Sequence, residues 1–169
     1  NLAKAFTKIL PKNPDWRVEF IGSSKHGNFS ITTFEKEVIQ SLDPIKSQVD
    51  WHGQLPHSKV CDLYSCSSIV VAPSICNEAF CLVALEAMTH KCAFVGSGTG
   101  GMSEVMGDFA LYIDPHSPDS IENAVEQLIL DGTLRDQISS DGQSYVTNMF
   151  DLDSQKEKLS EIRRSIMNK

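Results

Sequence analysis

Apolar and polar positions along the chain alternate between a helical spacing and short continuous runs. Residues 2–10, LAKAFTKIL, place apolar side chains at 2, 3, 5, 6, 9 and 10, one face of a helix, and Pro11 with Pro14 ends it. Trp16–Ile21 gathers β-branched and aromatic residues into a strand closed by Gly22-Ser23-Ser24. The polar residues from Lys25 to Thr32 predict a loop ahead of a helix at 33–42, and a second strand follows at Val49–His52. Ser58 is placed to cap a helix that runs through Cys66. SIVVAP at 68–73 is apolar almost throughout and ends at Pro73, as expected of a strand buried on both faces.

Phe80–Thr89 then predicts a buried helix, CAFVG at 92–96 a strand, and GTGGMSEVM at 98–106 a glycine loop entering a helix. ALYID at 110–114 reads as a last short strand, followed by amphipathic segments at 118–130 and 133–149. Asp119 and Ser120, just after Pro118, are most simply helix-start residues. Strands alternating with helices imply an α/β fold, a Rossmann-like doubly wound parallel sheet over residues 1–150, with 151–169 as a charged C-terminal helix free to pack elsewhere. Such a unit opens on a strand, whereas this sequence opens on a helix. The expectation is that the first strand lies upstream and that the chain is part of a longer protein.

With 169 residues, 41% hydrophobic and 22% charged, the chain fits one globular domain. A formal net charge of -7 argues against general binding to nucleic acid and leaves room for a local pocket that holds a small anionic ligand. Five cysteines make an odd count with no CxxC pair, so neither a zinc site nor a disulfide framework is indicated, and a reduced, cytoplasmic setting is expected. No apolar run approaches the length of a transmembrane segment, and no basic-then-apolar leader opens the sequence. Peripheral contact with the inner face of a membrane stays open.

The chemistry concentrates in NEAFCLVALEAM, residues 77–88, which sets Glu78 and Glu86 in an otherwise apolar run. On one helix they would stand about 12 Å apart along the axis and about 80° apart around it. Paired hydrolase carboxylates sit closer, at roughly 5–10 Å. The spacing therefore suits a ligand long enough to touch both, such as a sugar nucleotide: hydroxyls would donate to the carboxylates, and the diphosphate would meet a helix N-terminus. The plainer alternative is that Glu78 caps the helix and Glu86 is solvated. Cys81 as a nucleophile would need a base beside it, and neither His90 nor His57 is placed there by sequence, so a packed thiol is the simpler reading. Lys4 and Lys8 read as a solvated helix face, and His52 as a loop residue able to touch a ligand.

Residues 64–106 resemble the core of the C-terminal, donor-binding domain of GT-B glycosyltransferases of the retaining family 4. The elements that carry the resemblance are Pro73-Ser74 after a strand, Glu78 to Glu86 followed by Ala87 and Met88, and Gly100-Gly101 with Glu104. It extends more loosely to VDWHG at 49–53 and to residues 113–129. GSGTGG at 96–101 is read as part of this pattern rather than as a dinucleotide fingerprint.

The resemblance implies that Glu78 is the catalytic-site glutamate on the donor sugar hydroxyls and that Glu86 holds the ribose. It also implies that Ala79, Phe80, Cys81 and Leu82 meet the phosphates and sugar through their backbone. His52, Gly53 and Leu55 would cradle the base, and Gly22, Gly100 and Gly101 would line the cleft. It implies a nucleoside-diphosphate sugar as substrate, no metal or other cofactor, and an acceptor bound mainly by an N-terminal half. An isolated C-terminal half would then bind its donor without turning it over. The family usually has glycine where this chain has Ala79, Cys81 and Lys91, and proline is common where it has Ala93. Two further readings remain: a degenerate nucleotide-binding module without transfer activity, and a nucleotide-sugar epimerase of the same architecture.

Overall fold

The computed structural model describes residues 1–23 and 31–167. The predicted loop at 25–32 and the serine pair after Gly22 therefore fall largely outside the described residues. Helix α1 (Leu2–Ile9) continues into a 3-10 turn at Leu10–Lys12. Strand β1 is Val18–Ile21, α2 is Thr33–Ser41 and β2 is Val49–Gly53. Helix α3 (His57–Cys66), β3 (Ile69–Ala72), α4 (Leu82–Thr89) and β4 (Ala93–Gly96) follow. The chain closes with α5 (Met102–Met106), β5 (Leu111–Tyr112), α6 (Pro118–Leu130), α7 (Gly132–Met149) and α8 (Leu152–Met167).

Local chemistry sets several of these boundaries. A capping box starts α2, with the Thr32 side chain accepting from the Glu35 N–H and Glu35 accepting from the Thr32 N–H. Ser58 is not the cap of α3: the helix starts one residue earlier, after Pro56, whose fixed φ orients the entry. Ser117, rather than Asp119 or Ser120, caps α6 by accepting from the Ser120 N–H. Helix α4 starts at Leu82, two residues later than expected, because Cys81 takes a left-handed conformation (φ 48°, ψ 75°) that no helix can contain.

All strand pairings are parallel, with β1 beside β2 and β3–β4–β5 in that order. Side chains alternate across the β3–β4–β5 sheet. Ile69, Val71, Ala93 and Val95 pack with α1 and α6, while Val70, Ala72 and Phe94 pack with α3, α4, α5 and Val146 of α7. This is why SIVVAP and CAFVG are apolar throughout. Lys8 and Lys12 do not simply face solvent: they pair with Asp119, Glu122 and Glu126 and tie the first helix to α6. Among the described residues the two sheets are not paired with each other. A cavity of about 640 Å³ lies between β1 and β3, and the expected continuous sheet is split there. Helix α8 is exposed along its length, and no helix among the described residues is long and apolar enough to cross a membrane.

Candidate functional site

The loops after β3 and β4 meet at the carboxyl edge of the sheet, where open α/β sheets bind ligands. Ser97 Oγ donates to the Ser74 carbonyl at 2.7 Å and Thr99 Oγ1 to the Cys76 carbonyl at 2.8 Å. Glu78 and Gly100 form a parallel bridge, and the Gly101 N–H donates to the Glu78 carbonyl at 2.6 Å. The glycine pair is what permits this contact. A Cβ on Gly100 would collide with the Glu78 carbonyl oxygen and lie 2.8 Å from its nitrogen, and one on Gly101 would collide with the Ala79 carbonyl. Gly100 also needs a φ of +60°. The spacing of Gly96, Gly98 and Gly101 does fit a dinucleotide fingerprint. Here, however, the glycines serve packing against the Glu78 loop and the Tyr112 ring, and Asp114 is engaged in its own turn, accepting from the His116 N–H.

Each glutamate is held by a partner. Ser74 Oγ donates to Glu78 Oε1 at 2.7 Å, which aims a half-buried carboxylate from the loop rather than from the helix. Glu86 lies on α4, and its Oε1 is 3.0 Å from Nε2 of His57 on α3. His57, unlike Ser74, carries no local sequence signal, since the pair joins residues 29 positions apart. Between the glutamates, the N–H groups of Leu82 and Val83 begin α4 without intrahelical partners. Burial pushes the Cys81 thiol above its ordinary range, and the nearby Glu78 charge adds to this, against opposing Ala84 and Val83 N–H groups. A thiol kept protonated is a packed side chain rather than a nucleophile.

The remaining residues named from sequence divide. Gly22 and Gly53 sit at the carboxyl ends of β1 and β2, joined by the Gly22 N–H to the Gly53 carbonyl at 2.7 Å, and both have positive φ. Leu55 and Glu86 line the cavity between the sheets. His52 belongs to β2, not to the loop after it, and its ring pairs with Glu19 at 2.9 Å. Phe80 packs edge-on against Phe150. No cluster of three or more metal-ligating side chains occurs among the described residues. The sequence holds one Asp-x-Asp, Asp151 to Asp153, and there the Asp151 carboxylate caps α8, accepting from the Ser154 and Asp153 N–H groups. Those bonds, the Ser154 N–H first, hold Asp151 below the usual carboxylate range.

Residues 1–145 match the family model for glycosyl transferases group 1. The chain belongs to that family. It is 28% identical over 166 residues to a lipopolysaccharide 1,2-N-acetylglucosaminetransferase of Salmonella typhimurium, covering 95% of this chain and 43% of the relative. It is 28% identical over 165 residues to a D-inositol 3-phosphate glycosyltransferase of Corynebacterium diphtheriae, covering 95% and 38%. The chain thus spans well under half the length of these curated relatives. Among solved structures it resembles the C-terminal domain of a group 1 glycosyl transferase from Francisella tularensis, with TM-score 0.79, 29% identity, and 89% and 77% of the two chains covered. It shares its fold with Anabaena HepE, solved in complex with UDP, at TM-score 0.83, 20% identity, and 97% and 44% coverage. The fold is that of the C-terminal half of a GT-B glycosyltransferase.

Membership in the group 1 family makes the missing glycines informative. Among the described residues, the only non-glycine positions with positive φ are Cys81 (48°) and Lys91 (63°), two of the three sites where the resemblance expects glycine. At both positions the backbone takes the conformation that glycine adopts most easily.

Proposed function

We propose that the chain is the donor-binding half of a retaining glycosyltransferase of family 4 that moves a sugar, of hexose type, from a nucleoside diphosphate to an acceptor. The observation that carries this reading is the pair of glutamates flanking the start of α4. Glu78 is seated by Ser74 and the Gly100-Gly101 backbone, and Glu86 is paired with His57. Glu78 would accept hydrogen bonds from the donor sugar hydroxyls and Glu86 from the ribose hydroxyls. The diphosphate would lie at the backbone of residues 79–82, with the Leu82 N–H at the start of α4, where the helix dipole favours negative charge.

As the bond from the sugar C1 to the β-phosphate oxygen breaks, charge grows on the leaving diphosphate, and N–H groups already in place stabilise it without reorganising. The acceptor oxygen bonds to C1 on the face the diphosphate leaves, and the acceptor proton departs with the diphosphate. Gly22, Gly53, Leu55 and His52 at the ends of β1 and β2 would border the base, with Gly100 and Gly101 acting through the loop that carries Glu78. No resident metal or other cofactor is invoked. The acceptor would be held mainly by the remainder of the full-length protein, so this half alone would bind donor without turnover. Both halves would work on the cytoplasmic side, with contact at a membrane face depending on the acceptor.

The test is Glu78→Gln in the full-length protein, assayed for transfer from a panel of nucleoside-diphosphate sugars. A glutamate that touches the sugar in the transition state should cost on the order of a hundredfold in kcat while the affinity for free nucleoside diphosphate holds. An unchanged transfer rate removes Glu78 from the mechanism, and free nucleotide released without acceptor product points to an epimerase or hydrolase instead.

A further inference from the structure

Helices α3 and α4 are fixed against each other. Tyr64 of α3 is buried in one cluster with Ala84, Ala87 and Met88 of α4, and the thiol of Cys92, just past α4, donates to the Tyr64 carbonyl at 3.2 Å. His57 and Glu86 meet across this seam, the first at the start of α3 and the second on α4. Cys61, one turn along α3, sets its Sγ 3.7 Å from Nε2 and 3.9 Å from Nδ1 of the His57 ring. The imidazole is thus held by its own helix as well as by the carboxylate.

An ionised carboxylate only accepts, so Nε2 carries the hydrogen in the 3.0 Å bond to Glu86 Oε1. Among the described residues this is the one hydrogen bond that the carboxylate receives, and Oε2 has none. The rest of α4 is apolar but for Thr89, which donates to the Leu85 carbonyl, so the helix itself offers Glu86 no partner. His57 and Glu86 both line the cavity between β1 and β3. The other charged residues on its wall are engaged with β2, Arg17 with Asp50 and Glu19 with His52.

We propose that His57 is a positioning residue for the ribose of the donor. By holding Oε1 it fixes the Glu86 carboxylate and leaves Oε2 to accept from the ribose hydroxyls. His57 enters α3 directly after Leu55 and Pro56, so the segment that borders the base also sets the glutamate that holds the sugar next to it. A carboxylate already restrained loses less side-chain freedom when the ribose docks, and the benefit appears as donor affinity. His57 acts through Glu86, and its effect should vanish when Glu86 is removed. This inference rests on the donor-binding reading.

Isothermal titration of the full-length protein with UDP, GDP and ADP, and with the 2′,3′-dideoxy form of whichever binds, tests it on His57→Ala, His57→Gln, Glu86→Ala and the His57→Ala/Glu86→Ala double variant. His57→Ala should weaken the ribonucleotide about three- to tenfold and leave the dideoxy nucleotide unchanged. Glutamine, whose amide nitrogen reaches the place of Nε2, should restore most of that loss. The double variant should bind no more weakly than Glu86→Ala alone, because the two losses are one. With 71% of the His57 side chain exposed, Tm should stay within about 2 °C of the parent in both His57 variants, so the loss is not one of folding. Parent-like binding by His57→Ala, an equal loss on the dideoxy nucleotide, or additive losses in the double variant would overturn the role of His57 and leave that of Glu86 standing. If no diphosphate binds the parent, or Glu86→Ala binds the ribonucleotide as the parent does, the donor-binding reading falls and this inference with it.

Discussion

Lys91→Gly and Cys81→Gly remove the same kind of backbone strain and should move stability in different directions. Both residues have left-handed φ, 63° and 48°, which costs an L-residue about 1–2 kcal/mol relative to glycine. Glycine gives back about 0.4–1 kcal/mol through the greater freedom of the unfolded chain. At Lys91, whose side chain is exposed, nothing else is lost, and the net gain is about 0.5–1 kcal/mol. At Cys81 only 7% of the residue is exposed, and deleting Cβ and Sγ from the cluster with Ala84, Met88 and Met102 costs about 1–2 kcal/mol, cancelling the relief. Thermal unfolding followed by circular dichroism should show Lys91→Gly raising Tm by roughly 1–4 °C, and Cys81→Gly leaving it unchanged or lower. Lys91→Ala, which keeps the strain, should change little. A lower Tm for Lys91→Gly would refute the assignment of strain to φ at this position.

Other outcomes follow from the same structure. Gly101→Ala keeps an ordinary helical φ of -66° but puts a methyl group into the Ala79 carbonyl, so it should destabilise by about 1–3 kcal/mol and displace the Glu78 loop. A Tm within 1 °C of the parent would separate the glycine pair from that loop. Burial pushes the Cys92 thiol up to about 11 and the Tyr64 phenol up to about 12, with the Glu86 charge as the next cause for Tyr64. The folded state therefore favours both protonated forms. Their contribution is complete below the unfolded values near 9 and 10 and is lost as pH rises toward 11 and 12, so a Tm profile should fall from about pH 9 upward. A flat profile to pH 11 would contradict the burial assigned to these groups.

Much of the fold was legible because period and burial agree. SIVVAP and CAFVG are apolar throughout because helices cover both faces of β3 and β4, and the six apolar positions of residues 2–10 supply the face that α1 turns toward α6. The glutamate pair stood out because charges in an apolar run need a reason. Other features depend on contacts far apart in sequence. His57 meets Glu86 across two helices, and the Gly100-Gly101 pair works by admitting the backbone of Glu78 and Ala79, which no spacing rule describes. The start of α4 was misplaced because Cys81 suits a helix by composition, while its left-handed conformation forbids one. Ser58 looked like a cap because its side chain could serve as one, yet the proline two residues before it already sets the entry to α3.

The central claim is that Glu86 and the start of α4 together hold a nucleoside diphosphate. Isothermal titration of the full-length protein with UDP, GDP and ADP, repeated on Glu86→Ala, tests it most directly. At least one diphosphate should bind the parent, and Glu86→Ala should weaken it roughly tenfold to a hundredfold, the about 1.5–3 kcal/mol of a charged hydrogen bond to ribose. The corresponding 2′,3′-dideoxy nucleotide, lacking the hydroxyls, should bind both proteins alike. Absence of binding by every diphosphate, or equal affinity of the parent and Glu86→Ala for the ribonucleotide, would contradict the account.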